Sequence, residues 1–257
     1  MTDIDPGSLD RVAGALARAR LVVVATGAGM SRESGIPTFR DALTGLWARL
    51  DPEELATADA FRRAPARVFG WYAWRRKVVR AAVPHAGYDA VVALERLLPQ
   101  VVVVTQNVDG LHRRAGSRQV LELHGSLERF RCLDAGHPFP AEAVAEPVED
   151  GPVDPPACAR CGSPIRPGVV WFGEMLPEWE VTAAWEAAAR CGVMLVVGTS
   201  GLVHPAATLP RIAREAGAMV VEVNPEPSEL SSLATVVCRG SAGAVLPALV
   251  ARLGGAP

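Results

Sequence analysis

Apolar positions along the chain fall into two patterns. Short unbroken runs, Leu21-Val-Val-Val-Ala25, Val101–Val104, Val193-Met-Leu-Val-Val197 and Met219-Val-Val-Glu-Val223, predict strands buried on both faces. Each ends at once in small or polar residues: Thr26-Gly-Ala-Gly29, Thr105-Gln-Asn-Val-Asp109, Gly198-Thr-Ser200 and Asn224-Pro-Glu226. Between the runs, apolar residues recur at helical spacing. Leu9, Val12, Leu16 and Ala17 predict a helix over 8–20, with Ser8 placed to cap it. Further helices are predicted over Ala86–Leu98, Trp179–Arg190 and Leu202–Ala216. Strand, polar loop and helix in alternation predict a parallel sheet covered on both faces. Ligands of such sheets bind at the carboxyl ends of the strands, so four separate segments furnish one edge with hydrogen-bonding groups.

Two stretches break this alternation. Residues 43–84 are helical and rich in Trp, Tyr and Arg, whereas residues 129–168 carry three cysteines and many prolines without a long apolar period. The predicted fold class is therefore α/β. A Rossmann-like sheet domain (1–42, 85–128 and 169–257) carries a small inserted module with a helical part (43–84) and a cysteine-containing part (129–168). The acidic, proline-rich stretch Glu142–Pro156 reads as a flexible loop.

Composition narrows the classes. A chain of 257 residues suffices for one large domain with a small insert. Its formal charge of −2 provides no electrostatic reason to expect nucleic acid. The longest apolar runs are far too short to span a bilayer, and Met1-Thr-Asp-Ile-Asp-Pro6 lacks the basic start of a signal peptide. The expectation is a cytoplasmic protein without membrane or nucleic-acid partners. Five cysteines, two of them in Cys158-x-x-Cys161, favour metal binding or free thiols over a disulfide framework.

Several residues carry candidate chemistry. Gly27-Ala-Gly29 follows a strand directly, where small residues let backbone approach a ligand phosphate, although the third glycine of the usual dinucleotide fingerprint is missing. His124 is a candidate general base, because imidazole titrates near neutrality. His112 follows Asn107-x-Asp109 at a helix start and reads as structural. Tyr72 and Arg75 stand at i and i+3 of a helix, which points a phenol and a guanidinium to one side. A guanidinium is the natural partner of a carboxylate.

The longer string Gly27-Ala-Gly-Met-Ser-Arg-Glu-Ser-Gly-Ile-Pro-Thr-Phe-Arg40 resembles the signature of the sirtuin family. The resemblance extends, in the family's order, through Thr105-Gln-Asn-Val-Asp-Gly-Leu-His112, Glu122-Leu-His-Gly125 and Cys158-Ala-Arg-Cys161. It continues in Val170-Trp-Phe-Gly-Glu-Met175, Gly198-Thr-Ser200 and Asn224-Pro-Glu226. It implies NAD-dependent removal of acyl groups from protein lysines, giving nicotinamide and O-acyl-ADP-ribose.

On that resemblance, Gly27, Ala28, Gly29, Ser31, Ile36, Phe39 and Arg40 belong to the loop closing over NAD, with Phe39 shielding the reacting ribose. Gln106, Asn107 and Asp109 line the nicotinamide pocket, where Asn107 serves the ribose and Asp109 the carboxamide. Gly198, Thr199 and Ser200 take phosphate and ribose oxygens. Asn224 and Glu226 bind the adenosine ribose, and Ala242 lies near the adenine. His124, with Asn107, is catalytic: the acyl oxygen attacks the anomeric carbon, nicotinamide leaves, and His124 deprotonates a ribose hydroxyl.

Tyr72-x-x-Arg75 resembles the pair found in the subclass that removes succinyl and malonyl groups, and Ala42 resembles the small residue that widens its acyl pocket. Val170 and Phe172 would flank the acyl-lysine stem on a segment that pairs with substrate backbone as an added strand. Sirtuins commonly hold structural zinc between two Cys-x-x-Cys pairs. Here Cys158 and Cys161 form one pair, but Cys132 is followed by Leu133-Asp-Ala-Gly136, so Ala135 stands where the fourth thiolate is expected. His137 or Asp134 could complete the site, or the loop could fold with weak metal or none. Alternative functions are protein ADP-ribosyl transfer and a non-catalytic module binding NAD or acyl-lysine. The His124 motif with the Tyr72–Arg75 pair weighs against the first, and the intact catalytic positions weigh against the second.

Overall fold

The computed structural model describes residues 5–37, 55–149 and 151–254. Six parallel strands form the main sheet: β1 (Val22–Thr26), β2 (Val101–Thr105), β3 (Val120–Glu122), β7 (Val193–Val197), β8 (Met219–Val223) and β9 (Val236–Cys238). Their order is β3-β2-β1-β7-β8-β9. The chain runs outward from β1 on one side, then returns to build β7, β8 and β9 on the other. The reversal between β1 and β7 opens a crevice at their carboxyl ends.

Side chains of the central strands alternate between two cores. Val22, Val24, Val101 and Val103 face one core with Leu9, Val12 and Leu16 of α1 (Pro6–Arg18), Val91 and Leu94 of α4 (Ala86–Leu97), and Val245 and Leu249 of α8 (Ala242–Gly254). Val23, Ala25, Val102 and Val104 face the other, with Ala184 and Ala188 of α6 (Glu178–Arg190) and Leu209 and Ala213 of α7 (Leu209–Glu215). Burial on both faces explains why these strands are unbroken apolar runs.

A second, antiparallel sheet has the order β5-β4-β6, from β4 (Gly125–Cys132), β5 (Pro138–Phe139) and β6 (Ile165–Val169). Beside it stand α2 (Ala58–Arg63) and α3 (Pro65–Ala81). A short helix, α5 (Leu111–Ala115), follows β2. The predicted architecture is thus present, a parallel sheet with helices on both faces and a smaller sheet-and-helix module.

Local expectations need three corrections. Asp5, not Ser8, caps α1, accepting from the amides of Gly7 and Ser8. Only residues 209–215 of the expected 202–216 helix are α-helical, because Pro205 and Pro210 are tolerated only outside or in the first turn. The stretch expected to be flexible is anchored to α3: Arg76, 1% exposed, donates to the carbonyls of Ala141 and Val144, and Lys77 to those of Pro147 and Val148. The amide of Val153 also donates to Ala66.

Candidate active site

Two loops interlock at the mouth of the crevice. The Gly27 amide donates to Val197, the Gly29 amide to Gly198 O at 2.8 Å, and the Gly198 amide to Val223. Gly198 has φ 60°, and a Cβ there would sit 2.3 Å from the backbone nitrogen of Met30. Glycine is needed because two backbones touch. The amides of Gly27 and Gly29 are committed to this contact, so they are not free to face a phosphate. Ala28 opens the 3-10 turn Ala28–Ser34, where its amide has no partner within the turn. Ile36 is buried behind the turn, its amide bonded to Ser31 O. Phe39, Arg40 and Ala42 lie outside the described residues.

Polar side chains of the β1 and β2 loops form a nearly saturated array. The Asn107 amide group donates one hydrogen to Gly27 O (2.9 Å) and the other to Ser31 Oγ (3.0 Å). Ser31 donates its single hydrogen to Asp109 Oδ2 at 2.6 Å and accepts from Tyr88, 2.9 Å away. Asp109 Oδ1 accepts from the Leu111 amide. With both donors used, Asn107 presents only Oδ1, a pure acceptor suited to a sugar hydroxyl. Burial raises the Asp109 pKa, opposed by the Ser31 and Leu111 bonds.

A second buried chain lies behind this array. Thr26 donates to Thr105 Oγ1, which also accepts from the Asn107 amide, so Thr26 Oγ1 must accept from His112 Nε2, 3.0 Å away. Burial pushes His112 down to about 3. It is an uncharged structural donor.

His124 stands between the β3 and β4 strands. Its Nδ1 lies 3.0 Å from Gln106 O, an acceptor, so Nδ1 carries the hydrogen and Nε2 keeps its lone pair. Burial lowers its pKa, partly offset by the Gln106 bond. Gln106 Nε2 also donates to Thr199 Oγ1 at 3.2 Å, joining the β2 and β7 loops. Farther along the edge, Asn224 donates to Thr199 O at 3.1 Å, and the carbonyls of Ser200 and Glu226 are held by Glu229 and Arg239. Ala242 opens α8 and is buried. Glu33 of the 3-10 turn accepts from Ser241 Oγ and the Gly243 amide, tying that turn to α8.

The wall on the small-module side is built by α3 and the strap after β6. Tyr72 is buried and its oxygen accepts from Trp171 Nε1 at 2.9 Å. Burial lifts the phenol to about 12, against the pull of the neighbouring Arg75. Arg75 lies 5.4 Å over the Trp71 ring. Burial lowers its pKa, while the nearby Tyr72 and Asp109 act to raise it. In the strap, the amide of Val170 donates to His124 O at 2.8 Å and that of Phe172 to Ala56 O at 2.8 Å. Phe172 is exposed.

Three cysteines and one histidine meet in the small module. Ligand atoms of Cys132, His137, Cys158 and Cys161 all lie within 4.8 Å of one another. Cys132 and Cys161 sulfurs are 3.7 Å apart, and Cys158 sulfur is 3.5 Å from His137 Nδ1. Tetrahedral zinc with bonds of about 2.3 Å to sulfur and 2.0 Å to nitrogen requires separations of roughly 3.8 and 3.5 Å. The donor set and spacing fit zinc, and of the two candidate fourth ligands the group contains His137, not Asp134.

The sequence motifs do not single out Tyr88, Thr26, Glu33 or the side chain of Trp171. Each acts through a partner distant in sequence, and no local spacing signals that.

Fold and site define a class: a Rossmann-like protein whose strand edge suits a dinucleotide, joined to a module with a zinc-binding donor set. The model of the Sir2 family matches residues 27–205. NAD-dependent protein deacylase 2 of Pyrobaculum aerophilum is 54% identical, covering 93% of this chain and 93% of its own. NAD-dependent protein deacylase 1 of Pseudomonas aeruginosa is 51% identical over 92% of this chain and 96% of its own. A crystal structure of a Sir2 homolog–NAD complex superposes with a TM-score of 0.88 at 44% identity, covering 95% of this chain and 93% of that one. A Sir2 variant with a deacetylated p53 peptide and 3′-O-acetyl-ADP-ribose does so with a TM-score of 0.82 at 31% identity, covering 95% and 97%. The chain belongs to the Sir2 family.

Proposed function

We propose that this protein removes acyl groups from protein lysines at the expense of NAD, and that it prefers acidic groups such as succinyl and malonyl while also accepting acetyl. The observation that carries the reaction is that Gln106 O takes the His124 Nδ1 hydrogen, leaving Nε2 the ring's acceptor, while the next residue, Asn107, has only its Oδ1 left to offer. NAD, when bound, supplies an electrophilic anomeric carbon and nicotinamide as leaving group. The residues do the rest. Asn107 Oδ1 accepts from a ribose hydroxyl and orients it. Asp109 and Gln106 line the carboxamide pocket. His124 Nε2 takes the ribose-hydroxyl proton, and its lowered pKa keeps the imidazole a neutral base at physiological pH. Thr199, Ser200, Asn224 and Glu226 bind along the phosphate and adenosine end, with Ala242 beside the adenine.

The acyl preference is supported by the Tyr72 hydroxyl and the Arg75 guanidinium, which together match a terminal carboxylate. Val170 and Phe172 flank the lysine stem. Zinc held by Cys132, His137, Cys158 and Cys161 serves structure, away from the reacting groups. The two-part division of the chain belongs to the same proposal. So does a cytoplasmic location, with which five free thiols accord. Among the described residues no helix is long and apolar enough to cross a membrane.

The deciding experiment is mass spectrometry of one peptide bearing succinyl- or acetyl-lysine, with and without NAD. NAD-dependent loss of succinyl with O-succinyl-ADP-ribose appearing is expected. Loss of acetyl alone removes the acyl preference. ADP-ribose on protein, with lysine acylation intact, sinks the deacylase reading.

A further inference from the structure

The selectivity assigned to Tyr72 depends on where its one hydrogen points, and that is fixed by what its oxygen accepts. Indole Nε1 is a donor only, so the 2.9 Å contact with Trp171 has a single sense: Trp171 donates, Tyr72 accepts. The phenolic hydrogen must then point elsewhere, and it finds no acceptor among the described residues. A buried hydroxyl with an unused donor is costly unless a ligand meets it.

Trp171 is held firmly enough to impose this direction. It is 1% exposed. The Arg166 guanidinium lies 3.3 Å from the ring centre, and Phe61 packs against it at 5.3 Å. Its own amide donates to Glu174 Oε2 at 2.9 Å, and the same carboxylate pairs with Arg166. Trp71 closes the far side of the phenol, edge-on at 4.5 Å.

We propose that Trp171 determines acyl specificity as a positioning residue: its indole N–H holds the Tyr72 oxygen so that the phenolic hydrogen is kept for a carboxylate at the end of the acyl chain, beside Arg75. The inference rests on the acidic-acyl reading of Tyr72 and Arg75 and adds the residue that aims them. Trp171 does not touch the acyl group. Burial keeps the phenol protonated, with its pKa lifted to about 12, so Tyr72 remains a donor and not an anion that would repel the carboxylate. An acetyl group has no carboxylate and gains nothing from this arrangement.

The test is a double-mutant cycle on the ratio of kcat/KM for succinyl- over acetyl-lysine in one peptide, using the full-length protein. Trp171→Phe and Tyr72→Phe should each lower the ratio about tenfold, mainly through KM for the succinyl peptide. The double variant should also lose about tenfold, not about a hundredfold, since one hydroxyl carries both effects. A ratio unmoved by Trp171→Phe, or losses that multiply in the double variant, would overturn the proposal. Because Phe removes a ring as well as the N–H, a second variant places benzothienylalanine at 171, which keeps both rings and lacks only the N–H. A wild-type ratio there overturns the proposal too. Wild-type protein that removes no succinyl overturns the acidic-acyl reading together with this one. A working desuccinylase whose ratio ignores Trp171 overturns this one alone.

Discussion

The two sides of the site solve opposite problems. On the cofactor side, Asn107 spends its donors on Gly27 and Ser31, and Ser31 its own on Asp109, so the pocket is rigid and offers mostly acceptors. On the acyl side, Tyr72 is gripped through its oxygen and keeps its hydrogen for a ligand. The first side rests on parallel strands and holds the partner shared by every turnover. The second rests on α3 of the small module and on the segment that follows β6, and in the proposed function it selects the acyl group. Saturation gives fixed geometry, whereas one donor held in reserve gives discrimination.

Five experiments bear on this contrast, from the largest expected effect to the smallest. His124→Ala should lower kcat by about a hundredfold to ten-thousandfold, the range of a lost general base, with little change in KM for NAD. Comparable loss of NAD affinity would make His124 part of the binding surface instead. In the wild type, kcat should fall only below pH 6.5, because burial lowers the histidine pKa and the base must be unprotonated. An acid limb above pH 7 would contradict that.

His137→Ala asks whether the acyl side depends on a distant metal. It should lose bound zinc and about 4 kcal/mol of stability, as metal loss does in small modules. Metal content by mass spectrometry and the unfolding midpoint check this, with Asp134→Ala as the comparison. Zinc retained in His137→Ala but lost in Asp134→Ala would reverse the ligand assignment. Arg75→Met should cut kcat/KM for succinyl-lysine about tenfold to a hundredfold, the worth of a charge-assisted bond, and cut it far less for acetyl-lysine. Equal cuts would dissolve the contrast between the two sides.

His112 supplies the smallest effect. Its folded pKa, near 3, lies below the ordinary value of 6.5. Such a group contributes stability above pH 6.5 that is lost as pH falls toward 3, about 1 kcal/mol over the first unit. Urea unfolding between pH 6.5 and 5.5 should show this slope, and His112→Phe should flatten it. An unchanged slope in the variant would place the titration elsewhere.

Strand-forming runs were legible because burial on two faces leaves no polar positions, and the polar residues after them announced the ligand edge. β3 and β9, three residues each, carry too few positions for any period to show. The anchoring of the stretch that holds Val144, Pro147 and Val148 was illegible for another reason. Its anchor is Arg76, a buried arginine on a different element, and composition alone reports only proline and acid. The same holds within the site. Asn107, Asp109 and His124 stand in motifs that fold as units, whereas the Trp171–Tyr72 bond joins residues 99 positions apart.

The amide of Val170 donates to the carbonyl of His124. In the proposed function the proton acceptor and the segment that pairs with substrate are therefore coupled through main chain, which among substitutions at 170 only proline removes. For anyone redesigning this protein, that separates two controls. Residues on α3 can be exchanged to admit new acyl chains, while the distance from the lysine stem to the base stays set by a bond that every amino acid except proline can make.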